Sequence, residues 1–392
     1  MNNKVRVGFL GAGNLNSIQH FPNIAASPNA EFYGVCDLNR EQMEKKAGHY
    51  KPKLMTEDFE ELINNKNIDI IWIATRPHLQ TDLARRALKA GKNVFVEKPM
   101  ADAAETCLEL GRLAKKKGLK LFTGFNRRYA PAYVDVTSIL QKMKTPPMMT
   151  YRLADDSNGR GSDIFVSSQL LDEACHAFDI LNFFAGADPV EVITFNVSQN
   201  NDLVSIRYAN GAVASLTSAI KSSMAWPKER LEIIMDNSAL SVEDFVELQT
   251  ANVPGWGSMT KRYEGFEYPG WLSGYKEKMQ WEGLSAVFAF RRRWQEYNIA
   301  DGMPKLDHKP ETDKIRGKLV EAHKPFMPPV NYMVNKGWCN ADHSILRHLR
   351  AGEPTNAAGA VESARSIAVA EAAMKSSKSG RLVKLDPKSW KI

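Results

Sequence analysis

The residues best suited to chemistry in this chain are Lys98, Asp172 and His176. Lys98 follows the apolar run Val94-Phe95-Val96 within Glu97-Lys98-Pro99, and Pro99 fixes the turn that aims it. Ligands of open parallel sheets sit outside the carboxyl ends of the strands. A lysine at such a tip therefore lies over a ligand and can stabilise negative charge developing on an oxygen. The plainer alternative is a solvated loop lysine. Asp172 and His176 are four residues apart, in a stretch where Leu171, Cys175, Phe178 and Leu181 recur at helical spacing. That spacing predicts one helix carrying acid and imidazole on the same face. A neutral imidazole accepts a proton near pH 7, and the carboxylate can orient it or a substrate hydroxyl. A buried structural hydrogen bond competes with this reading. Half a metal site does so less well, because no third ligand lies nearby and Cys175 falls on another face.

Strand–helix units must position these groups. Val5 to Leu10 reads as a strand, and Gly11-Ala12-Gly13-Asn14-Leu15-Asn16 follows at the head of a helix marked by Ile18, Phe21, Ile24 and Ala25. This is the dinucleotide pattern G-x-G-x-x-G with Asn16 in the third place. Gly11 allows a tight turn, and Gly13 lets backbone N–H groups approach a pyrophosphate. Loss of the third glycine is expected to loosen helix–strand packing without abolishing binding. The strand Glu31 to Cys36 ends in Asp37, where an acid accepts from the ribose 2′-OH and repels a 2′-phosphate. NAD is thus favoured over NADP, with Arg40 a partial offset. Asp37 also suits an N-cap for a helix Arg40 to Ala47. Strands over 68–73, 94–96 and 119–122 alternate with helices over 58–63, around Leu83 to Leu88, and over 104–117. The expected result is a right-handed, doubly wound α/β sheet.

A chain of 392 residues is long for a single core, and two domains are expected, 1–125 and 126–392. No apolar run approaches bilayer length, and the N-terminus lacks a signal-peptide pattern, which implies a cytoplasmic address. The cysteines at 36, 107, 175 and 339 have no metal-like spacing and read as reduced buried thiols. The net charge of +7 is spread along the chain, and the runs Lys115-Lys116-Lys117 and Arg291-Arg292-Arg293 read as solvated helix faces. Nucleic-acid binding is not expected.

Beyond Asn126 the texture changes to strands over 148–153, 191–197, 203–208 and 213–218, then 231–235 and 239–242. Asn210-Gly211 and Asp236-Asn237 are two-residue hairpin signals between neighbours. A mostly antiparallel open sheet with one face covered by helices is expected, completing an α+β domain. Residues 251–337 hold Trp256, Trp271, Trp281 and Trp294 and a candidate helix Lys276 to Tyr297. They read either as an insertion over the site, with indole faces for sugar C–H surfaces, or as aromatics burying the insertion. His308, His323 and His343 belong to no constellation.

Taken together, G-x-G with Asp37, A-T-x-P-like Ala74 to Pro77, A-L-x-A-G-K-x-V-x-V-E-K-P and G-F-N-R-R-Y-x-P resemble the glucose–fructose oxidoreductase/inositol dehydrogenase (Gfo/Idh/MocA) family. The resemblance covers residues 4 to about 220 and resumes at A-G-E-P and at Gly380 to Leu385. Arg76 stands where that family has proline, and Gln80 where it has histidine. The family's G-G-x-x-x-D-x-x-x-H pattern is matched with Ser167-Ser168 in place of the glycines. The resemblance implies a cofactor site built from Gly11, Gly13, Asn14, Leu15, Asp37, Arg40, Thr75, Arg76, His78, Glu97, Lys98 and Asn126. It implies substrate contacts from Lys98, Arg127, Asp172 and His176, no metal, and a homo-oligomer formed through the C-terminal sheet, dimer or tetramer.

The expected activity is an NAD-dependent dehydrogenase (NADP possible in its place) acting on a secondary alcohol of a sugar, polyol or cyclitol. His176 is then the base, Lys98 stabilises the alkoxide and Asp172 orients. A redox-neutral glycoside-cleaving enzyme is the alternative, and it needs an additional base or tyrosine such as Tyr151 or Tyr208. A non-catalytic sensor ranks last, since both lysine and histidine are present.

Overall fold

The computed structural model describes residues 4–155, 168–223, 225–265, 275–289, 291–292 and 334–392. Six parallel strands form the first sheet: β1 (Val5–Leu10), β2 (Ala30–Cys36), β3 (Leu54–Thr56), β4 (Ile70–Ile73), β5 (Asn93–Val96) and β6 (Leu121–Thr123). Their order, β3-β2-β1-β4-β5-β6, is that of a doubly wound dinucleotide-binding sheet whose strand order reverses between β1 and β4. All four residues of β4 are buried, as a central strand covered on both faces requires. Trp72 of β4 stacks on Phe95 of β5 with ring centroids 4.0 Å apart.

The second sheet has nine strands: β7 (Met148–Ala154), β8 (Pro189–Ser198), β9 (Asn201–Tyr208), β10 (Val213–Ala219), β11 (Glu229–Met235), β12 (Ser238–Glu243), β13 (Glu247–Val253), β14 (Gly257–Arg262) and β15 (Val383–Lys384). Every pairing is antiparallel except β7 with β10. Both hairpin signals hold: Gly211 joins β9 to β10 with φ 92°, and Asp236 and Asn237 join β11 to β12 with φ 45° and 57°. Along β9 buried and open residues alternate, placing Val204, Ile206 and Tyr208 on the core face. That face is covered by α8 (Ala174–Ala185) and α11 (Ala360–Ser379). The chain also contains α1 (Phe21–Ala26), α2 (Arg40–Ala47), α3 (Phe59–Asn64), α4 (Pro77–Lys89), α5 (Ala104–Lys116), α6 (Pro131–Leu140), the short α7 (Gln169–Asp172), α9 (Tyr275–Glu282) and α10 (Trp338–Ala351).

Five local expectations need correction. Arg291 does not lie on a solvated face: it is buried and donates Nε and Nη2 to Asp244 Oδ2 at 2.9 and 2.6 Å. Asp172 and His176 do not share one continuous helix. The chain turns at Glu173 between α7 and α8, and the His176 amide bonds to Glu173 O rather than to Asp172 O. The reason is capture of the Asp172 carbonyl by Lys98 Nζ at 3.1 Å and Cys175 Sγ at 2.9 Å. Asp37 does not cap α2; Asn39 does, accepting from the Gln42 amide at 2.9 Å. Asn16 is fully buried and is held rather than loose, its Nδ2 donating to Gly11 O at 2.6 Å within a π-helical turn, Asn16–His20, that leads into α1. The candidate helix Lys276 to Tyr297 is interrupted at Gly283, whose φ of 57° ends α9. Trp271, Trp294, His308, His323 and Ser167 lie outside the described residues, while Trp281 is exposed.

A buried ion pair fixes α8 against the segment that leaves the first sheet. Arg128, in the turn Asn126–Tyr129, donates Nε and Nη2 to the two oxygens of Asp179 at 2.8 and 2.6 Å. Removing one member of such a pair leaves a charge without compensation. Asp179→Ala is therefore expected to lower unfolding free energy by about 3–5 kcal/mol in urea titration; a loss under about 1 kcal/mol would show that the pair does not anchor the helix.

Candidate active site

The crevice at the strand reversal is lined as a dinucleotide needs. Gly11 has φ 97°, and a Cβ there would fall 2.6 Å from Ala74 O, so the β1 turn must be glycine. A Cβ on Gly13 would meet nothing within 4 Å, which leaves its backbone open to a phosphate. Asp37 ties this loop to the end of β2, accepting from the amides of Ala12 at 2.6 Å and Asn39 at 2.9 Å. Lys46 of α2, not foreseen in the sequence, donates to Asn14 Oδ1 at 2.9 Å and brings a cation to the same loop. Thr75 flanks Gly11, Leu15 is half-buried, and Asn14, Arg40, Arg76 and His78 are exposed around the opening. Arg40 pairs with Glu44 at 2.6 Å on its own helix. Buried Gln80 turns inward and donates to Pro99 O at 3.4 Å, bracing the turn that carries Lys98.

At the tip of β5 the Lys98 ammonium reaches the corner between α7 and α8. Its Nζ lies 3.3 Å from Asp172 Oδ1 and 3.6 Å from Glu173 Oε1. His176, in the first turn of α8, is buried against Phe125, and among the described residues its Nδ1 has no hydrogen-bond partner. Burial, then Arg127 and Lys98, hold this imidazole well below the usual histidine range, so it is neutral at pH 7. An uncharged ring beside a lysine and a carboxylate is equipped to accept a proton.

Behind this corner runs a network of buried charges. Arg127 donates Nε and Nη2 to Glu229, both at 2.7 Å, and lies 3.7 Å from Glu173. Glu229 also receives Lys336 Nζ and the Tyr151 hydroxyl, each at 2.6 Å. Lys228 joins Glu173 at 3.3 Å and Asp155 at 2.9 Å. Asn126 donates to Lys336 O at 2.7 Å. The structure thus gathers Lys98, Asp172, His176, Arg127 and Asn126 into one region. It adds Glu173, Lys228, Glu229 and Lys336, whose only sequence signal was a charge beside or inside an apolar strand or helix. Among the described residues, no three His, Cys, Asp or Glu side chains are placed to hold a metal ion.

Residues 5–125 match the GFO_IDH_MocA family, an oxidoreductase family with an NAD-binding Rossmann fold. Over these residues the chain is similar to the Gfo/Idh/MocA oxidoreductases. A myo-inositol 2-dehydrogenase of Thermotoga maritima is 21% identical over 290 residues, 70% of this chain and 86% of that enzyme. An inositol 2-dehydrogenase/D-chiro-inositol 3-dehydrogenase of Lactiplantibacillus plantarum is 27% identical over 199 residues, half of this chain and 55% of that one. The structure of GenD2 from gentamicin A biosynthesis, in complex with NAD, superposes with a TM-score of 0.66 at 17% identity, covering 98% of this chain and 97% of its own. The two-sheet architecture is shared with that structure, and residues 5–125 match an NAD-binding Rossmann fold.

Glu229 gives the chain a pH signature. Burial pushes its pKa up, but Arg127 and Lys336 outweigh that and hold it well below the carboxylate range. A depressed folded pKa contributes stability above the unfolded value of about 4.3, lost as pH falls through the folded one. Glu229→Gln should cost about 3–5 kcal/mol at pH 7, and its deficit against wild type should shrink below about pH 4 in urea titrations. A deficit independent of pH would contradict the charge network.

Proposed function

We propose that this protein is an NAD-dependent dehydrogenase that oxidises a secondary alcohol of a neutral sugar, polyol or cyclitol, or reduces the corresponding ketone. The observation that carries the reading is the neutral, buried His176, whose Nδ1 has no partner among the described residues, beside a lysine at the tip of β5. His176 takes the hydroxyl proton. The Lys98 ammonium stabilises the alkoxide as it forms, and Asp172 holds both Lys98 and the substrate hydroxyl in place. Bound NAD supplies the acceptor for the hydride that leaves the carbinol carbon. Gly11, Gly13, Asn14 and Leu15 receive the pyrophosphate, Asp37 with Arg40 the ribose. Thr75, Arg76, His78, Glu97 and Asn126 line the nicotinamide end. Arg127, with two of its nitrogens committed to Glu229, acts on the substrate through its charge.

Charge supports a neutral substrate. Among the described residues, each of Lys98, Arg127, Lys228 and Lys336 is paired with a carboxylate of Asp155, Asp172, Glu173 or Glu229. The two inositol dehydrogenases that resemble this chain fit that class. Glycoside cleavage would require a further base, and both tyrosines considered for it are buried: Tyr151 donates to Glu229, and Tyr208 faces the core. The outer face of the second sheet carries a row of open apolar side chains in register, Val213, Met148 and Ile234, with Phe195 opposite Leu203 beside it. This row supports a homo-oligomer built sheet against sheet.

The decisive experiment follows near-ultraviolet absorbance in a single turnover of the NAD-loaded enzyme mixed with inositols, hexoses and glycosides. Lasting NADH with a ketone product supports the reading; transient NADH with a cleaved glycoside, or none with any compound, would remove it. Lys98→Ala should cut kcat by about 100-fold or more while NAD still binds. The acidic limb of the kcat/KM profile should lie below pH 6.5 and vanish in His176→Ala, because the base is neutral down to its lowered pKa. In Asp37→Ala the NAD affinity should fall more than the NADP affinity; an unchanged ratio would leave Asp37 as a loop tie only.

A further inference from the structure

Beneath the Lys98 turn lies a buried titratable group that the proposed reaction does not use. The His20 ring sits between two carboxylates, its Nε2 3.1 Å from Glu97 Oε1 and its Nδ1 3.0 Å from Asp342 Oδ2. Asn23 also donates to Asp342 Oδ2, at 2.9 Å. Side-chain exposure is 1% for His20, 6% for Glu97 and 1% for Asp342, too little for water to take the place of a lost partner. Trp72 and Phe95 pack on the ring, with centroids 5.6 and 5.3 Å away. The three groups come from the π-helical turn before α1, the tip of β5 and α10. Carboxylates on both sides require a hydrogen on each ring nitrogen. Burial opposes the resulting charge, yet Asp342 and Glu97 outweigh it and hold the ring protonated up to about pH 10.

The second oxygen of Glu97 accepts from the backbone N–H of Lys98 at 3.0 Å. A Cβ on Gly124 would fall 2.4 Å from Glu97 Oε1, so the carboxylate is confined on that side too. We propose that His20 is a positioning residue for Lys98: it holds Glu97, and Glu97 pins the Lys98 amide, fixing the strand tip from which the ammonium reaches Asp172. The inference rests on the assignment of Lys98 to the reaction. Without the His20 hydrogen, Glu97 becomes a buried carboxylate with one donor fewer, and it must turn or take up a proton. Either change releases the Lys98 amide. Asp342 extends the link to α10, whose helix therefore reports on the same turn.

The test needs no substrate in its first arm. Hydrogen exchange of the Lys98 amide should be at least about tenfold faster in His20→Gln, with the urea midpoint still showing a folded protein and NAD affinity within about threefold of wild type. Should that variant fail to fold, Glu97→Leu, which leaves no side-chain acceptor for the Lys98 amide, should show the same faster exchange. The 15N resonances of His20 should report both nitrogens protonated at pH 8.5. The second arm uses the polyol identified by turnover. In it His20→Gln should lower kcat at least about tenfold with KM within about threefold, and the same change in a Glu97→Leu background should cost less than about threefold. Wild-type Lys98 exchange in both variants, or an unprotonated ring, would overturn the proposal. Failure of every polyol would instead count against the dehydrogenase reading, and the exchange arm would still decide the His20–Glu97–Lys98 link.

Discussion

The Lys98 ammonium joins the tip of a parallel strand to the corner between two helices of the other sheet's cover. Its reach to the Asp172 carbonyl, together with that of Cys175 Sγ, removes the acceptor that a continuous helix would have offered His176. The helix therefore breaks at Glu173. The break presents the carboxylates of Asp172 and Glu173 to one cation and buries His176 behind them. Burial first, then the charges of Arg127 and Lys98, keep the imidazole neutral, and neutrality lets a histidine accept a proton. Geometry and electrostatics at this corner thus have one origin.

Such a site is expensive to assemble from buried charges, and the fold offsets the cost by pairing each of them. Glu229 receives two nitrogens of Arg127, the Lys336 ammonium and the Tyr151 hydroxyl. Its companions come from the turn after β6, from β7, and from the residues before α10, so the network is complete only when these distant segments pack together. The dinucleotide crevice is built differently. Its polar groups lie at an open surface, where Gly13 leaves space and Asp37 and Lys46 hold the loop through single hydrogen bonds. A corner of paired buried charges thus faces an open groove lined for a dinucleotide.

Much of this was legible in the chain. Gly11 is required by the approach of Ala74 O, and a single G-x-G in strand–turn–helix context was enough to locate the crevice. The hairpins at Asn210-Gly211 and Asp236-Asn237 follow from residues that tolerate positive φ. Lys98 was placed by the rule that strand tips face ligands. What stayed hidden depends on contacts distant in sequence. Glu229 and Lys336 meet Arg127 only after the second sheet forms, and Glu173 looks like any helix-surface acid until Lys98, Lys228 and Arg127 surround it. The helix break is invisible to periodicity, because a lysine 74 residues away causes it. Asn16 was read as a loss, whereas its amide replaces close glycine packing with a hydrogen bond to Gly11 O.

The claim on which all of this converges is that a carbinol hydrogen leaves as hydride beside His176 and Lys98. The most direct measurement uses a polyol deuterated at its carbinol carbons and follows the label into NADH by mass spectrometry. Deuterium recovered in the reduced nicotinamide, with a slower turnover than for the protiated polyol, is the expected result. Loss of the label to water, with none in the nicotinamide, would contradict it.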